Sequence, residues 1–293
     1  MKSIRPTFFI VGAPKAGTTA LHFFLDKHPE VCMSSDKEPN YFSHQEISAQ
    51  LLYYEKTNSI TESDYLSLFH PTQHTKIAGE ASVSYLFYPL VPERIKNFSK
   101  DAKIIISLRH PVQRAFSHYQ MDYSLGYVNE TFEKIFRNGQ AHPKTGNHFQ
   151  QYFLLGNYGT QVERYLETFG GANVLIILHE EVTQYPKNVI QKLCHFLGID
   201  NTLLPSDIEQ QNVTVAGKNK TIQWLYKQKL FRKTIGILAS EQSKARIKRL
   251  LFSKQDLPHL DQNLAIELQH YYRDEMLLLE RLSTLNIKNW IQE

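Results

Sequence analysis

With 293 residues, 42% of them hydrophobic and 12% aromatic, the chain can bury one large core and need not divide into two domains. Its 33 Lys and Arg against 29 Asp and Glu leave a net charge of only +4, too small to argue for a nucleic-acid surface and no obstacle to an anionic ligand. The two cysteines, Cys32 and Cys194, imply no disulfide framework, and no run reaches the ~20 apolar residues of a membrane span. The first element is an apolar strand at Phe8-Phe9-Ile10-Val11. It passes through the small-residue turn Gly12-Ala13-Pro14-Lys15-Ala16-Gly17 into a helical pattern opened by Thr18-Thr19-Ala20-Leu21. Gly12 and Gly17 keep the spacing of the nucleotide-triphosphate loop G-x-x-x-x-G-K-[ST], but Thr18 stands where that loop needs its Lys, and a Lys comes earlier, at Lys15. A cradle of backbone N–H groups at a helix N-terminus still favours an anion. Without a Lys-Ser/Thr pair to hold Mg²⁺ and a γ-phosphate, the expected ligand is a phosphate ester handled without metal.

A second strand is expected near Val31-Cys32-Met33, and Lys37-Glu38-Pro39-Asn40-Tyr41-Phe42 then supplies a carboxylate. Taken alone, Glu38 reads as an exposed acid before a Pro-induced turn. Residues 43–74 are polar and aromatic without strand alternation. They are expected to form helices and loops, with Tyr53, Tyr54 and Tyr65 as packing aromatics or substrate contacts. Ile104-Ile105-Ile106-Ser107-Leu108, bounded by Lys103 and Arg109, suits a buried parallel strand. Arg109-His110-Pro111 opens the next helix, which runs past Ser117-His118-Tyr119. An Arg at the carboxyl end of a strand and a Ser two helical turns later can both reach one anion in the crevice beyond the sheet. Where an ATPase would place a metal-binding Asp, this chain has a cation.

Between Val128 and Gly159, His142, Lys144 and His148 fit no metal-ligand spacing and lack a carboxylate or thiol set, so no metal site is expected. A further strand is expected at Val174-Leu175-Ile176-Ile177-Leu178, and Phe196-Leu197-Gly198-Ile199 reads as a Gly helix stop. The segment Asn212-Val213-Thr214-Val215-Ala216-Gly217-Lys218-Asn219-Lys220-Thr221 reads as a solvated loop through its Gly-Lys-Asn-Lys turn. The cluster Lys244, Arg246, Lys248, Arg249 beside Leu250-Leu251-Phe252 reads as a solvated helix face, with a polyanion groove or membrane-surface contact as the alternative. A helical pattern from Leu257 to Trp290 closes the chain, and there are no repeats or low-complexity segments.

These blocks together resemble the sulfotransferases that use 3′-phosphoadenosine 5′-phosphosulfate (PAPS), over nearly the whole chain and most specifically up to Tyr119. The first turn resembles that family's 5′-phosphosulfate loop, which has a Lys inside the turn and Thr-Thr or Ser-Thr opening the helix. The resemblance implies that Lys15, Ala16, Gly17, Thr18 and Thr19 hold the 5′ end of the cofactor. Arg followed eight positions later by Ser resembles the 3′-phosphate motif and assigns that phosphate to Arg109 and Ser117. Lys218 and Lys220 lie where the family has a basic loop closing over the 3′-phosphate and adenine, and are candidates for it. Transfer of a sulfuryl group to a hydroxyl or amine needs a base for the acceptor proton and a cation for charge on the departing PAP. Glu38 and Lys15 are the catalytic candidates. The Glu position resembles the heparan-type and bacterial carbohydrate-type members, and His22, His28, His44 and His118 are the alternative bases.

One departure stands out. Gly79-Glu80-Ala81-Ser82-Val83-Ser84-Tyr85-Leu86 resembles the family's G-E-K-[ST]-P-x-Y segment, but Ala81 replaces its Lys, whose duty therefore does not carry over. Leu155-Gly156-Asn157-Tyr158 resembles the helix that precedes the family's next strand, and Glu180-Glu181 resembles a later scaffold segment. The resemblance implies a P-loop-like three-layer α/β fold, a central parallel sheet flanked by helices, in one domain over residues 1–293. The expected function is PAPS-dependent, metal-independent sulfation of a saccharide, glycolipid or polysaccharide, with PAP as product. The alternatives are sulfation of a lipid or natural-product alcohol, a nucleotide kinase, and a non-catalytic nucleotide-binding protein. No nucleic-acid partner and no transmembrane segment are expected. If Met1 is the native start, a bacterial-type cytoplasmic enzyme is expected; in an excised luminal domain, the sequons at Asn129 and Asn212 would carry glycans.

Overall fold

The computed structural model describes residues 4–50, 61–139, 143–203, 216–217, 252–253 and 257–291. Five short strands carry the architecture: β1 Phe8–Gly12, β2 Val31–Met33, β3 Ile77–Ala81, β4 Lys103–Leu108 and β5 Val174–Leu178. They pair in the order β2-β3-β1-β4-β5, and every pairing is parallel. An all-parallel sheet is covered on both faces. The central strand accordingly reads FFIVG with all five residues buried, an apolar run with no alternation.

The two faces of β1 go to different layers. Phe8 and Ile10 pack with Leu21, Phe24 and Leu25 of α1 (Thr18–Asp26), and with residues of α9 (His179–Gln184) and α10 (Pro186–Leu197), using the numbering of helices along the chain. Phe9 faces the other way, edge-on to Phe42 at 5.8 Å between ring centres. That second layer includes α4 (Val91–Phe98) and α8 (Tyr158–Phe169), which pack on each other. The remaining helices are α2 (His44–Gln50), α3 (Glu62–Leu66), α5 (Pro111–Ser124), α6 (Phe132–Asn138), α7 (Pro143–Tyr152), α11 (Gln262–Leu282) and α12 (Lys288–Ile291). The parallel sheet with flanking helices is the architecture expected from the sequence, and β1, β2, β4 and β5 fall where strands are expected; β3 lies on the Gly79-Glu80-Ala81 segment, to which the sequence reading assigns no strand. The closing pattern breaks into two helices, with Trp290 buried on the second.

The chain forms two compact units. The first comprises Met1–Arg114, Leu155–Gln211 and Gln269–Glu293 and contains the whole five-stranded sheet; the second comprises Ala115–Leu154 and Asn212–Leu268. Within the second, Phe132 packs against Phe116, Tyr119 and Phe153, and Tyr152 donates a hydrogen bond to the buried Asp122 carboxylate at 2.8 Å. The basic cluster at 244–249 and Tyr53 and Tyr54 lie outside the described residues. Among the described residues, no helix is long and apolar enough to cross a membrane.

One glycine is fixed by close approach. Gly79 of β3 pairs with Phe8 of β1, and a Cβ there would sit 2.3 Å from the Phe8 ring. The ring occupies the space above the glycine, so neither residue can be enlarged. Gly79→Ala is expected to destabilise the fold by about 1–3 kcal/mol, the usual cost of overpacking a filled core. Denaturant unfolding checks this, and adding Phe8→Leu should recover part of the loss.

Candidate active site

Parallel pairing sends the carboxyl ends of β1, β3 and β4 to one edge of the sheet, and the segments that leave them form the site. The loop after β1 is fastened to β4 at two points. Ala13 N–H donates to Ser107 O at 2.7 Å, and Ser107 Oγ donates to Ala16 O at 2.6 Å. Ser107 is fully buried, so both bonds are shielded from water. Between these points the backbone turns through Lys15, at φ 67°, and Gly17 at φ 88° is the N-cap of α1. Left-handed residues in a tight turn aim successive N–H groups into one concavity, an anion-binding arrangement.

The helix end is left open electrostatically. α1 has no side-chain cap at Gly17 and no acidic residue in its first turn. The first N–H groups of any helix lack intrahelical acceptors and carry the positive end of its dipole. Thr18 is buried and Thr19 half-buried at this end. Ala16, expected among the cofactor contacts, has its side chain buried, and its N–H donates back to Ala13 O at 3.3 Å within the turn.

Arg109 leaves the end of β4 and comes to the same loop, its Nη1 3.5 Å from Lys15 O. Its Nε is buried without a hydrogen-bond partner. Burial lowers the guanidinium pKa below its ordinary value, while nearby Tyr158 and Glu180 oppose the shift. Tyr158 also donates its hydroxyl to Arg109 O at 3.0 Å, anchoring the chain where β4 ends. His110 and His179 are each pushed down to about 4, first by burial and then by the Arg109 charge. Both imidazoles are therefore neutral near pH 7, and Arg109 is the cation of this group. An uncapped helix end beside a guanidinium with an orphaned buried N–H fits a phosphate group. Ser117 is half-buried on α5, in the second unit, whereas Arg109 belongs to the first. Lys218 and Lys220 lie outside the described residues.

Glu38 sits on the segment after β2. Its backbone is left-handed, at φ 61°, as is that of Asn40, at φ 54°. Glu38 N–H donates to Ala81 O at 3.0 Å, tying the segment to the end of β3. The carboxylate remains partly exposed, with its side chain 35% accessible, and accepts from Lys37 Nζ at 2.8 Å. Among the four alternative bases, His22 has its pKa lowered by burial first, with Asp26 and Glu38 raising it and Lys37 lowering it. His28 is held on Asp200 O at 2.8 Å and His44 lies 3.4 Å from Ser48 Oγ, while His118 is buried near Asp122 in the second unit.

Three residues were not assigned these roles from the sequence. Ser107 looks like any small residue in a strand until its two contacts are seen. Lys37 becomes notable only through its bond to Glu38. Glu80 is fully buried, and burial pushes its carboxyl pKa up to about 7 against three hydroxyl hydrogen bonds, from Ser82, Tyr65 and Tyr85. An acid inside an otherwise apolar strand is the signal that marked it. Tyr65 is fully buried, stacked on Tyr41 at 4.3 Å and bonded to Glu80, so it is a packing aromatic rather than a substrate contact.

The family pattern described as the sulfotransferase domain matches residues 5–280. The chain belongs to the sulfotransferase family. Among its curated relatives is the human bifunctional heparan sulfate N-deacetylase/N-sulfotransferase 2, 31% identical over 201 residues, which are 66% of this chain and 22% of the relative. The Xenopus laevis enzyme of the same description, numbered 1, is 29% identical over 205 residues, 68% of this chain and 23% of that protein. This sulfotransferase thus spans less than a quarter of the length of those relatives. A solved structure of a sulfotransferase from Alicyclobacillus acidocaldarius aligns with a TM-score of 0.71 and 27% identity, covering 98% of this chain and 99% of that one.

Proposed function

We propose that this sulfotransferase takes PAPS as donor and sulfates a hydroxyl or amine of a saccharide. The observation that carries the donor reading is the uncapped, carboxylate-free start of α1 beside Arg109, whose Nε is buried without a partner. That combination suits a phosphate ester bound through backbone N–H groups and a guanidinium, with no metal between them. The acceptor class is supported by the similarity to the heparan sulfate N-deacetylase/N-sulfotransferases. A lipid or natural-product alcohol is the second acceptor class to test. We read the two compact units as parts of one domain over residues 1–293, since the family pattern runs through both. A cytoplasmic location belongs to the same reading.

PAPS supplies an activated sulfuryl group and leaves as PAP. In this reading, the Gly17 to Thr19 backbone and the Thr18 and Thr19 hydroxyls hold its 5′ end, while Arg109 and Ser117 recognise the 3′-phosphate. Lys15 provides an ammonium for negative charge that gathers at the loop as the S–O bond breaks. Glu38 accepts the proton that the acceptor hydroxyl or amine gives up as its own bond to sulfur forms. The partial exposure of Glu38 leaves it accessible to an acceptor from solvent, and the Lys37 ammonium lies 2.8 Å from its carboxylate.

Binding and turnover test the parts separately. PAP is expected to stabilise the fold by about 2.7 kcal/mol at a hundredfold excess over Kd, unaffected by EDTA. Stabilisation by ATP with Mg²⁺ and not by PAP would favour a kinase instead. Arg109→Ala should weaken PAP far more than 5′-AMP in calorimetry; equal losses would remove Arg109 from the 3′-phosphate.

Incubating saccharide, lipid and natural-product acceptors with PAPS should add one sulfuryl mass to a saccharide, read by intact-mass spectrometry. Product from the alcohol classes alone would overturn the acceptor reading, and PAP binding without product from any class would favour a nucleotide-binding protein.

Glu38→Gln preserves shape but cannot take a proton. Turnover should fall about 10²-fold or more, with PAP affinity nearly unchanged. Near-native turnover would move the base, and His22 is then the residue to substitute.

A further inference from the structure

Glu80 accepts three hydrogen bonds under the segment that carries Glu38. Its Oε1 accepts from Tyr65 Oη at 2.7 Å and from Tyr85 Oη at 2.8 Å, and its Oε2 accepts from Ser82 Oγ at 2.7 Å. A carboxylate can only accept, so the three hydroxyl hydrogens are committed to it and their oxygen lone pairs face away. Two of those oxygens then meet backbone N–H groups of the Glu38 segment: Ser82 Oγ accepts from Asn40 N–H at 3.0 Å, and Tyr85 Oη from Phe42 N–H at 3.2 Å. Asn40 passes the constraint on, donating from Nδ2 to Glu38 O at 3.0 Å while Ser84 Oγ donates to its Oδ1 at 2.7 Å. The constrained backbone includes the two left-handed residues Glu38 and Asn40, a conformation costly for anything but glycine unless its surroundings impose it.

We infer that Glu80 is a positioning residue for the base: through Ser82 and Tyr85 its ionised carboxylate fixes the backbone that presents Glu38. The inference rests on the reading of Glu38 as the base. It goes beyond that reading in assigning a function to a buried acid that touches neither substrate nor cofactor.

A purely structural role predicts something different. Glu80 is fully buried, and only three hydroxyls oppose the burial that pushes its pKa up to about 7. The titratable groups facing it are Tyr65 from α3, Tyr85 after β3, Glu38 from the neighbouring segment and Tyr165 from α8. Because the folded-state pKa lies above the unfolded value of 4.5, the native protein binds more protons between 4.5 and about 7. The contribution of Glu80 to stability is therefore fully present below that window and lost as pH rises through it. If ionised Glu80 positions the base, turnover must rise over the interval in which this contribution falls. A group kept for stability alone has no reason to show opposite trends.

The test compares native protein, Glu80→Gln, Glu38→Gln and the double variant, measuring kcat, KM and thermal stability across pH. Glutamine can accept on one side only and must donate on the other, so it cannot hold all three hydroxyls in their native sense. Glu80→Gln is expected to lower kcat about tenfold or more, the order that a misplaced catalytic group costs, with the KM for PAPS little changed. The rise of kcat near pH 7 should disappear, and so should the fall in stability attributable to Glu80. In the Glu38→Gln background, Glu80→Gln should have no further effect on kcat, because the two substitutions remove one function.

Ser82→Ala breaks the link to Asn40 and keeps the carboxyl group, although it also removes the hydrogen bond to Oε2 that holds the Glu80 pKa down. It should reproduce the kcat loss in part, and it keeps the test decisive if Glu80→Gln does not fold. Glu80→Gln with native kcat and the native pH profile would overturn the inference, as would equal kcat losses from Glu80→Gln with and without Glu38; the base assignment survives both results. Native turnover in Glu38→Gln alone would overturn the base assignment and this inference together.

Discussion

Ser107 holds the loop between β1 and α1 at both ends, and the geometry of the candidate site follows from that. Its carbonyl takes the Ala13 N–H and its hydroxyl reaches Ala16 O, so the residues that turn between β1 and α1 are bound to the neighbouring strand. The direction of α1 is fixed by the same contacts, and with it the line of N–H groups at its open end. Two residues beyond Ser107 the chain emerges as Arg109, beside the loop its strand is holding. One strand thus sets both the cradle and the cation. The pairing of β1 with β4 as adjacent parallel strands brings their carboxyl ends together.

Charge in this region is kept scarce and local. His110 and His179 are held neutral by burial and by Arg109 itself. No acid caps α1, although an Asp or Ser at that position would satisfy its first N–H groups. The cost of leaving a helix end open and a guanidinium N–H without a partner is borne by the folded protein, and under the proposed function an anionic ligand would relieve it.

The sequence made this layer legible and the next one largely invisible, for a physical reason. Lys15, Ala16, Gly17, Thr18 and Thr19 are consecutive, and Arg109 follows its strand directly, so short-range pattern sufficed to group them. The order β2-β3-β1-β4-β5 is not written in any local pattern. Only once β3 is known to lie between β2 and β1 does Glu38 come to Ala81 O, or Asn40 to Ser82. Tyr65, an open choice between packing and substrate contact, is decided by Glu80, 15 residues away in sequence and 2.7 Å away in space. Gly79 is likewise explained by Phe8, with which it shares no sequence neighbourhood. What remained hidden was the set of polar contacts made across the sheet order, together with the positions that lie beyond the described residues.

The substitution at Ala81 shows how the two layers meet. β3 alternates like any strand: Glu80 faces the aromatic layer of Tyr65 and Tyr85, and Ala81 is fully buried in the apolar cluster with Phe8, Ile10 and Leu21. A lysine at 81 would have to carry its stem through that cluster and bring an ammonium to the edge. Alanine avoids that desolvation, but it leaves the end of β3 without a cation. The ammonium that does meet Glu38 belongs to Lys37, on the same segment and bonded to the carboxylate at 2.8 Å. A half-exposed pair of that kind contributes little to stability, so its significance lies in position. The proposed base and this ammonium are carried on one short stretch of backbone, and the hydrogen bonds that Ala81 O, Ser82 and Tyr85 accept from that stretch set the place of both at once.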